Sequence, residues 1–127
     1  RLNSGQRTVL PAKYRMRRYA EFGLAVRDGV RASQPAIVVY ARRQASQTPS
    51  TAPLIGLIVA KSVGGSVDRH RVARRLRHVA RAIVDELHPG DRIVVRALPS
   101  SRTAPTPALE QQLRAGVRRA HLLMEPR

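Results

Sequence analysis

The stretch LIGLIVAKSVGGSVDRHRVARRLRHVARAIVDEL, residues 54–87, contains the strand and the helix on which the fold depends. Its first residues, Leu54–Ala60, are almost wholly apolar, which predicts a central strand buried on both faces. A Gly-Gly pair then predicts a turn, and Ser66 is placed to cap a helix that runs to about Leu87. A His-Pro-Gly sequence follows and ends that helix.

The predicted helix has one aliphatic face and one basic face. Its aliphatic positions fall on a single stripe, formed by Val72, Leu76, Val79, Ala80, Ile83 and Leu87. The opposite face carries Arg71, Arg74, Arg75 and His78, flanked by Arg77 and Arg81. No acidic residue lies between Asp68 and Asp85, so the mixed charges of an ordinary exposed helix are missing there. We therefore expect the stripe to dock on a sheet and the arginines to face a partner.

The remaining segments predict a sheet and two further helices. A short helix is predicted over Tyr19–Asp28 by its apolar spacing, and a last helix by an apolar stripe that starts after Thr106, a candidate cap. The strand candidates are Val30–Ala32, Ala36–Arg42 and Arg92–Leu98, in addition to Leu54–Ala60. Helices packed on one sheet are the natural way to bury these faces, so the predicted class is α+β.

The chain is predicted to form one domain. Residues 1–9 are polar and without pattern, so we expect a disordered extension, whereas residues 10–127 carry all of the periodic segments. The polar segment Gln44–Pro53 interrupts the domain and predicts a mobile loop.

The charge of the chain indicates a polyanionic partner. Its 127 residues include 24 Lys and Arg but only 8 Asp and Glu, a formal net charge of +16. Such an excess destabilises a compact protein unless an anion binds, and nucleic acid is the leading candidate. With no cysteine, disulfides and thiolate metal sites are excluded. There is no apolar run of membrane-spanning length and no visible secretory leader, so no membrane partner is expected and the cytoplasm is the expected location.

RNA fits the basic helix better than DNA. Helices that read DNA bases usually carry Asn, Gln, Ser or Glu beside arginine, whereas this face carries only arginine and histidine, which suits phosphates. No short helix lies just upstream to complete a helix-turn-helix. A structured RNA, not DNA, is therefore the expected partner. Two alternative functions stay open: a ribosomal protein or RNA chaperone and, more remotely, a DNA-binding regulator.

The central stretch also resembles a known family. The run Lys61-x-Val63-Gly64-x-x-Val67-x-Arg69-x-Arg71, with Arg74, Leu76 and Arg77 after it, resembles the signature of the bacterial ribonuclease P protein component, in a high-GC, actinobacterial-like form. The upstream run Tyr14-Arg15-Met16-Arg17-Arg18-x-x-Glu21-Phe22-x-x-x-Val26-x-x-Gly29 resembles the start of that family. Gly65 and Ser66 replace the family's Asn-Ala pair, and His70 stands where the family has Asn, which leaves any role of that amide in doubt.

The resemblance implies a fold and an activity. The fold would be a ribosomal-protein-like two-layer sandwich, with a four-stranded sheet, helices on one face and a left-handed βαβ crossover. The activity would be that of the protein subunit of ribonuclease P, which binds a catalytic RNA and assists the Mg²⁺-dependent removal of the 5′ leader from precursor tRNA. The RNA would carry the catalysis, the protein alone would be inactive, and one monomeric protein would bind one RNA.

The resemblance also implies which residues bind. Contacts to RNA would come from Lys61, Arg69, His70, Arg71, Arg74, Arg75 and Arg77, and also from Arg17 and Arg18 before the first helix. Phe22, Val26 and Tyr40 would line a cleft for the single-stranded leader, although a Phe on an amphipathic helix is usually core, and the same holds for Tyr40. Mg²⁺ would be held mainly by the RNA and the substrate, and no organic cofactor is expected. No protein metal site is expected either, because His70, His78, His88 and His121 have no metal-ligand partners at a suitable sequence spacing.

Overall fold

The computed structural model of the chain describes residues 10–44 and 52–125. Its helices and strands are, in chain order, α1 (Tyr19–Asp28), β1 (Val30–Ser33), β2 (Ile37–Arg43), β3 (Leu54–Ile58), α2 (Ser66–Ile83), β4 (Asp91–Ala97) and α3 (Thr106–Met124). The extension predicted to be disordered, residues 1–9, lies outside the described residues, as does most of the predicted mobile loop, residues 45–51. None of the helices in the described ranges has an apolar stretch long enough to cross a membrane.

The four strands form one mixed sheet with the order β1-β2-β4-β3. Strand β2 pairs antiparallel with both β1 and β4, whereas β3 and β4 are parallel neighbours. Parallel neighbours need a crossover connection, so helix α2 carries the chain from the end of β3 back to the start of β4. The predicted α+β class and four-stranded sheet are confirmed, and the left hand of the crossover stays a prediction.

The larger core lies between one face of the sheet and the two long helices. The stripe of α2 is fully buried there, with Val72, Leu76, Val79, Ala80 and Ile83 each at 0% exposure, as its spacing predicted. Helix α3 lies across β1 and β2, and it approaches closely at Gly116, where an added Cβ would stand 2.5 Å from Val39 Cγ2. A side chain at this position would push the helix off the sheet.

Helix α1 packs on the opposite face of the sheet. Ala25 of α1 is fully buried in a second, smaller cluster with Met16, Val38, Tyr40 and Val94. Neighbouring residues of β2 thus alternate between the two clusters, because successive side chains of a strand point to opposite faces. The expectation of helices on one face holds for α2 and α3 but is wrong for α1, so the sandwich has a partial third layer.

Four local predictions are also corrected. Strand β3 is at the edge of the sheet rather than in its centre, and residues 14–16 cover part of its free edge, where Met16 N donates to Ile55 O at 2.8 Å. Ser66 is the first residue of α2 and makes no capping hydrogen bond, so the cap position belongs to Gly65. The same holds for Thr106 in α3, where Pro105 precedes the helix. The α-helical part of α2 ends at Ile83, and a 3-10 turn continues to Glu86.

A buried carboxylate joins four parts of the chain at one end of the sheet. Asp91, at 0% exposure, accepts a hydrogen bond from Arg43 Nε at 3.1 Å on one oxygen. On its other oxygen it accepts one from the backbone N–H of His88 at 2.9 Å, and His121 Nε2 of α3 lies 2.7 Å away. The carboxylate therefore fastens β4, to which it belongs, to the end of β2, the turn before β4 and the last turns of α3.

We expect Asp91→Asn to lower the free energy of unfolding by about 2 kcal/mol, because it leaves a buried site without the charge that pairs with Arg43. Urea denaturation measures this loss. Asp85→Asn is the matched control, since Asp85 is exposed and takes part in none of the ion pairs among the described residues. Equal effects of the two substitutions would contradict the role of the buried carboxylate.

Candidate nucleic-acid interface

Helix α2 presents a basic surface to solvent, as its pattern predicted. We call the exposed residues His70, Arg71, Arg74 and His78 the arginine surface. They lie opposite the buried stripe, so docking of α2 on the sheet forces them outward. The position of this surface is therefore a consequence of the hydrophobic core.

The other predicted RNA contacts on this side differ in their surroundings. Lys61 is exposed on a 3-10 turn, Lys61–Val63, just before α2. Arg69 and Arg77 are half-buried beside the arginine surface. Arg75 instead directs its guanidinium to three backbone carbonyls of the turn before α3, at 2.7, 3.0 and 3.0 Å.

Three overlapping grooves follow the arginine surface, with volumes of about 720, 420 and 410 Å³. Arg74 lines all three of them. Arg15, from the segment before α1, lines the largest groove, and Arg102, from the turn before α3, lines the groove of 420 Å³. The single carboxylate in these grooves is Asp68. Neither Arg15 nor Arg102 was predicted from the sequence, since neither lies in the helical pattern.

Within the described part of the chain, the arginine surface forms no ion pair with an acidic residue. The ion pairs in the described part of the chain involve Glu21, Glu86, Asp91 and Glu110, and none of these acids pairs with Arg71 or Arg74. Like charges on adjacent turns of one helix repel each other. A polyanion would relieve that repulsion and gain several contacts at once.

A second, largely apolar cleft of about 480 Å³ lies between α1 and the edge of the sheet. Its lining consists of Arg17, Tyr19, Phe22, Gly23, Val26, Leu57 and Ile58. Phe22 and Val26 therefore lie together in a cleft between α1 and the sheet, where the family resemblance implied a leader cleft. The sequence analysis did not predict Tyr19 as a cleft residue, although its side chain is 91% exposed and lines the cleft. The signal available in the sequence was an aromatic residue at the start of the predicted helix.

Phe22 serves both the core and the cleft. Its ring packs over Gly56 of β3, where an added Cβ would lie 2.5 Å from Phe22 Cε1. The absence of a side chain at Gly56 thus lets the ring sink onto the sheet and form the floor of the cleft. Tyr40 is only 7% exposed and does not line the cleft; it packs in the cluster beneath α1, with the Arg31 guanidinium 6.0 Å from its ring centroid.

An ion pair fastens α1 to the sheet beside this cleft. Arg92 Nε of β4 lies 3.6 Å from Glu21 Oε2, and Arg92 Nη1 donates to the carbonyl of Ala52 at 3.1 Å. Burial lowers the pKa of Arg92, and the nearby Glu21 carboxylate opposes that shift. At 3.6 Å the two atoms form an ion pair without a hydrogen bond, and the pair links α1 to β4 beside the cleft.

The segment before α1 connects the two surfaces. Arg15 lines the largest groove beside α2, Met16 is buried against the sheet, and Arg17 lines the apolar cleft. This alternation follows from an extended backbone paired with the edge of β3. The predicted contact Arg18 is exposed immediately after it, where α1 begins.

One cluster of possible metal ligands is present among the described residues. His88, Asp91 and His121 bring ligand atoms within 4.8 Å of one another, which their sequence spacing did not reveal. The two imidazole rings are stacked, with centroids 4.2 Å apart and planes at 12°, so their in-plane lone pairs do not converge on one ion. Arg43 also bonds to Asp91 and lies 3.1 Å from His88 Nδ1. In this arrangement the cluster is occupied by hydrogen bonds within the protein and by the stacking of its two rings.

Comparison with known proteins gives a family match along most of the chain. A family model described as Ribonuclease P matches residues 10–121. The ribonuclease P protein component of Mycobacterium ulcerans is 57% identical over 112 residues, which cover 88% of this chain and 93% of that protein. The ribonuclease P protein component of Mycobacterium tuberculosis is 55% identical over 112 residues, with the same coverage.

Solved structures share the fold. The RNase P protein of Staphylococcus aureus superposes with a TM-score of 0.71 at 20% identity, over 84% of this chain and 94% of that one. The RNase P protein of Thermotoga maritima gives a TM-score of 0.70 at 19% identity, over 83% and 96% of the two chains. The mixed sheet and its three helices are thus common to proteins of very different sequence.

We expect Arg74→Ala to remove about one phosphate contact. The slope of the logarithm of the RNA-binding constant against the logarithm of the salt concentration should then become less negative by about 0.7–0.9. Arg74 lines every groove of the arginine surface and is exposed, so its removal should leave thermal stability unchanged. Arg119→Ala is the matched control, an exposed arginine on α3 outside the grooves. An unchanged slope for Arg74→Ala would remove this surface from the interface.

Proposed function

The chain belongs to the ribonuclease P protein family and is a subunit of ribonuclease P in tRNA processing, and we propose that its two surfaces divide the RNA-binding work. The arginine surface binds the phosphates of a catalytic RNA. The cleft beside α1 holds the single-stranded 5′ leader of precursor tRNA while the leader is removed.

The observation that carries this proposal is the pair Arg71 and Arg74, which are exposed on a helix docked on the sheet and take part in none of the ion pairs of residues 10–44 and 52–125. Guanidinium groups bind phosphate oxygens in pairs, and they need not move far when their helix is fixed on a sheet. Lys61, Arg69 and Arg77 extend the same surface along α2 and the turn before it. Such a surface reads the shape and the backbone of a folded RNA rather than its bases.

The cleft has the chemistry that a single strand requires. Tyr19 and Phe22 offer aromatic faces on which bases can stack, and Val26 and Ile58 supply apolar walls. Arg17 stands at the edge, where a phosphate would pass. Stacking tolerates any base, so this cleft would accept leaders of different sequence.

We assign the hydrolysis itself to the RNA. Mg²⁺ prefers several oxygen ligands in an octahedral arrangement, and Asp68 is the one carboxylate in the grooves of the arginine surface. The lining of these grooves therefore does not fit Mg²⁺, which we expect to be held mainly by the RNA and the substrate. The cluster of His88, Asp91 and His121 is engaged in its own hydrogen bonds, which supports a non-catalytic role for the protein.

The proposed partners are thus one catalytic RNA and precursor tRNA, with one monomeric protein in each complex. The proposed location is the cytoplasm, where a bacterium makes its tRNA transcripts. A ribosomal protein or RNA chaperone would show a similar charge and fold, but that alternative does not account for the match to the ribonuclease P family over residues 10–121.

Cleavage of precursor tRNA tests the proposal directly. A ribonuclease P RNA from a mycobacterial relative is assayed at low Mg²⁺ with and without this protein, and with the protein alone. We expect cleavage at the mature 5′ end to require both RNA and protein, since the protein offsets phosphate repulsion that high Mg²⁺ would otherwise screen. Cleavage by the protein alone would contradict the assignment of catalysis to the RNA.

Absence of stimulation, despite tight and salt-sensitive binding to the same RNA, would favour a structural RNA-binding role instead. The binding measurement is therefore made on the same preparation as the cleavage assay. In that outcome the proposed RNA binding by the arginine surface would stand, and the proposed binding of the leader in the cleft would be rejected.

We expect Tyr19→Ala to weaken the binding of precursor tRNA by the complex by about 1–3 kcal/mol, because one stacking platform is lost. Tyr19 is 91% exposed, so the substitution should not affect folding. The affinity for mature tRNA, which has no leader, serves as the internal control and should not change. An equal loss for both tRNAs would place Tyr19 outside the leader site.

A further inference from the structure

The guanidinium of Arg75 is already engaged by the protein. Its Nη1 donates to the carbonyl of Ala104 at 2.7 Å, and its Nη2 donates to the carbonyls of Ser101 and Arg102, each at 3.0 Å. A paired contact with a phosphate needs two N–H groups of the same fork. Arg75 belongs to the basic pattern of α2 but is committed to the turn between β4 and α3.

That turn is held from both sides. Ser101 is fully buried, and its hydroxyl donates to the carbonyl of Leu98 at 2.6 Å. The hydroxyl of Ser100 donates to the carbonyl of Pro35 at 3.0 Å. The first bond closes the turn on itself, and the second ties it to the connection before β2. Arg75 attaches the turn to α2, so the turn is held beside the arginine surface.

Arg102, at the end of this turn, is exposed and takes part in none of the ion pairs of residues 10–44 and 52–125. It lines one groove of about 420 Å³ with Arg71, Arg74, Arg75 and Asp68. The groove therefore joins arginines from two elements that are far apart in sequence. Asp68 is its acidic member, and the arginines outnumber it.

We propose that Arg102 is a further phosphate contact of the RNA-binding surface and that Arg75 is a positioning residue, which holds Arg102 in place through the backbone of its turn. This inference rests on the proposed RNA-binding function and adds a second element to it. The surface then has two edges, α2 and the turn, and an RNA backbone lying in the groove meets arginines on both sides.

The test measures the salt dependence of binding to a mycobacterial ribonuclease P RNA for the full chain. The variants are Arg102→Ala, Arg75→Lys, Arg75→Ala and the double variant Arg75→Ala/Arg102→Ala, with Arg119→Ala as the matched control. We expect Arg102→Ala to reduce the log–log slope by about 0.7–0.9, the value of one phosphate contact, and Arg119→Ala to leave it unchanged.

The Arg75 variants separate position from charge. Lysine keeps the positive charge but cannot reproduce the planar fork that reaches three carbonyls. We expect Arg75→Lys to reduce the slope about as much as Arg102→Ala, and the double variant to lose no more than Arg75→Ala alone. Should Arg75→Ala fail to fold, the same comparison is made with Arg75→Lys and Arg75→Lys/Arg102→Ala.

Each part can fail separately. An unchanged slope for Arg102→Ala would remove Arg102 from the interface. A wild-type slope for Arg75→Lys, or additive losses in the double variant, would overturn the positioning role of Arg75. The cleavage assay of wild-type protein is run in parallel. If the tRNA-processing function is wrong, the protein will not stimulate cleavage of precursor tRNA, and the effect of Arg102→Ala on the salt slope of RNA binding can still be measured.

Discussion

The structure depends on the burial of the aliphatic stripe of α2 against the sheet. This helix carries six arginines and two histidines on its remaining surface, and those charges repel one another. Burial of Val72, Leu76, Val79, Ala80 and Ile83 at 0% exposure opposes that repulsion and fixes the helix rigidly. The same packing that stabilises the fold therefore determines where the basic residues point, and a substitution in the stripe would change stability and RNA binding together.

The two faces of the sheet have different tasks. One face carries the large core with α2 and α3, which supplies most of the apolar burial. The other face carries only α1, held by a small cluster and by the pair of Glu21 with Arg92, which leaves an apolar cleft partly open. Stability is concentrated on the first face, so the second can keep unfilled apolar surface for a ligand. The extended segment Arg15–Arg17 runs along the edge of β3 and contributes a side chain to each surface.

Sequence patterns predicted the elements well where one periodicity dominated. The bounds of α1 and the start of α2 match the predictions, and the stripe of α2 is buried as expected. Strand β3 was expected in the centre of the sheet because its residues are apolar, but an edge strand can be equally apolar when other residues cover it, as Met16 and Phe22 do here. The predicted caps Ser66 and Thr106 were also wrong, because a residue with a suitable side chain can be the first residue of a helix instead of its cap.

The sequence by itself determined the α+β class, the polyanionic partner, the arginine surface and, through its motif, the family. These features are local or compositional, so they can be read from spacing and charge. Only the tertiary structure decided that α1 lies on the opposite face, that Tyr40 is buried while Tyr19 is exposed, and that Arg75 binds carbonyls while Arg102 enters a groove. These outcomes depend on contacts between residues distant in sequence, such as Asp91 with His121, and no periodicity along the chain encodes them.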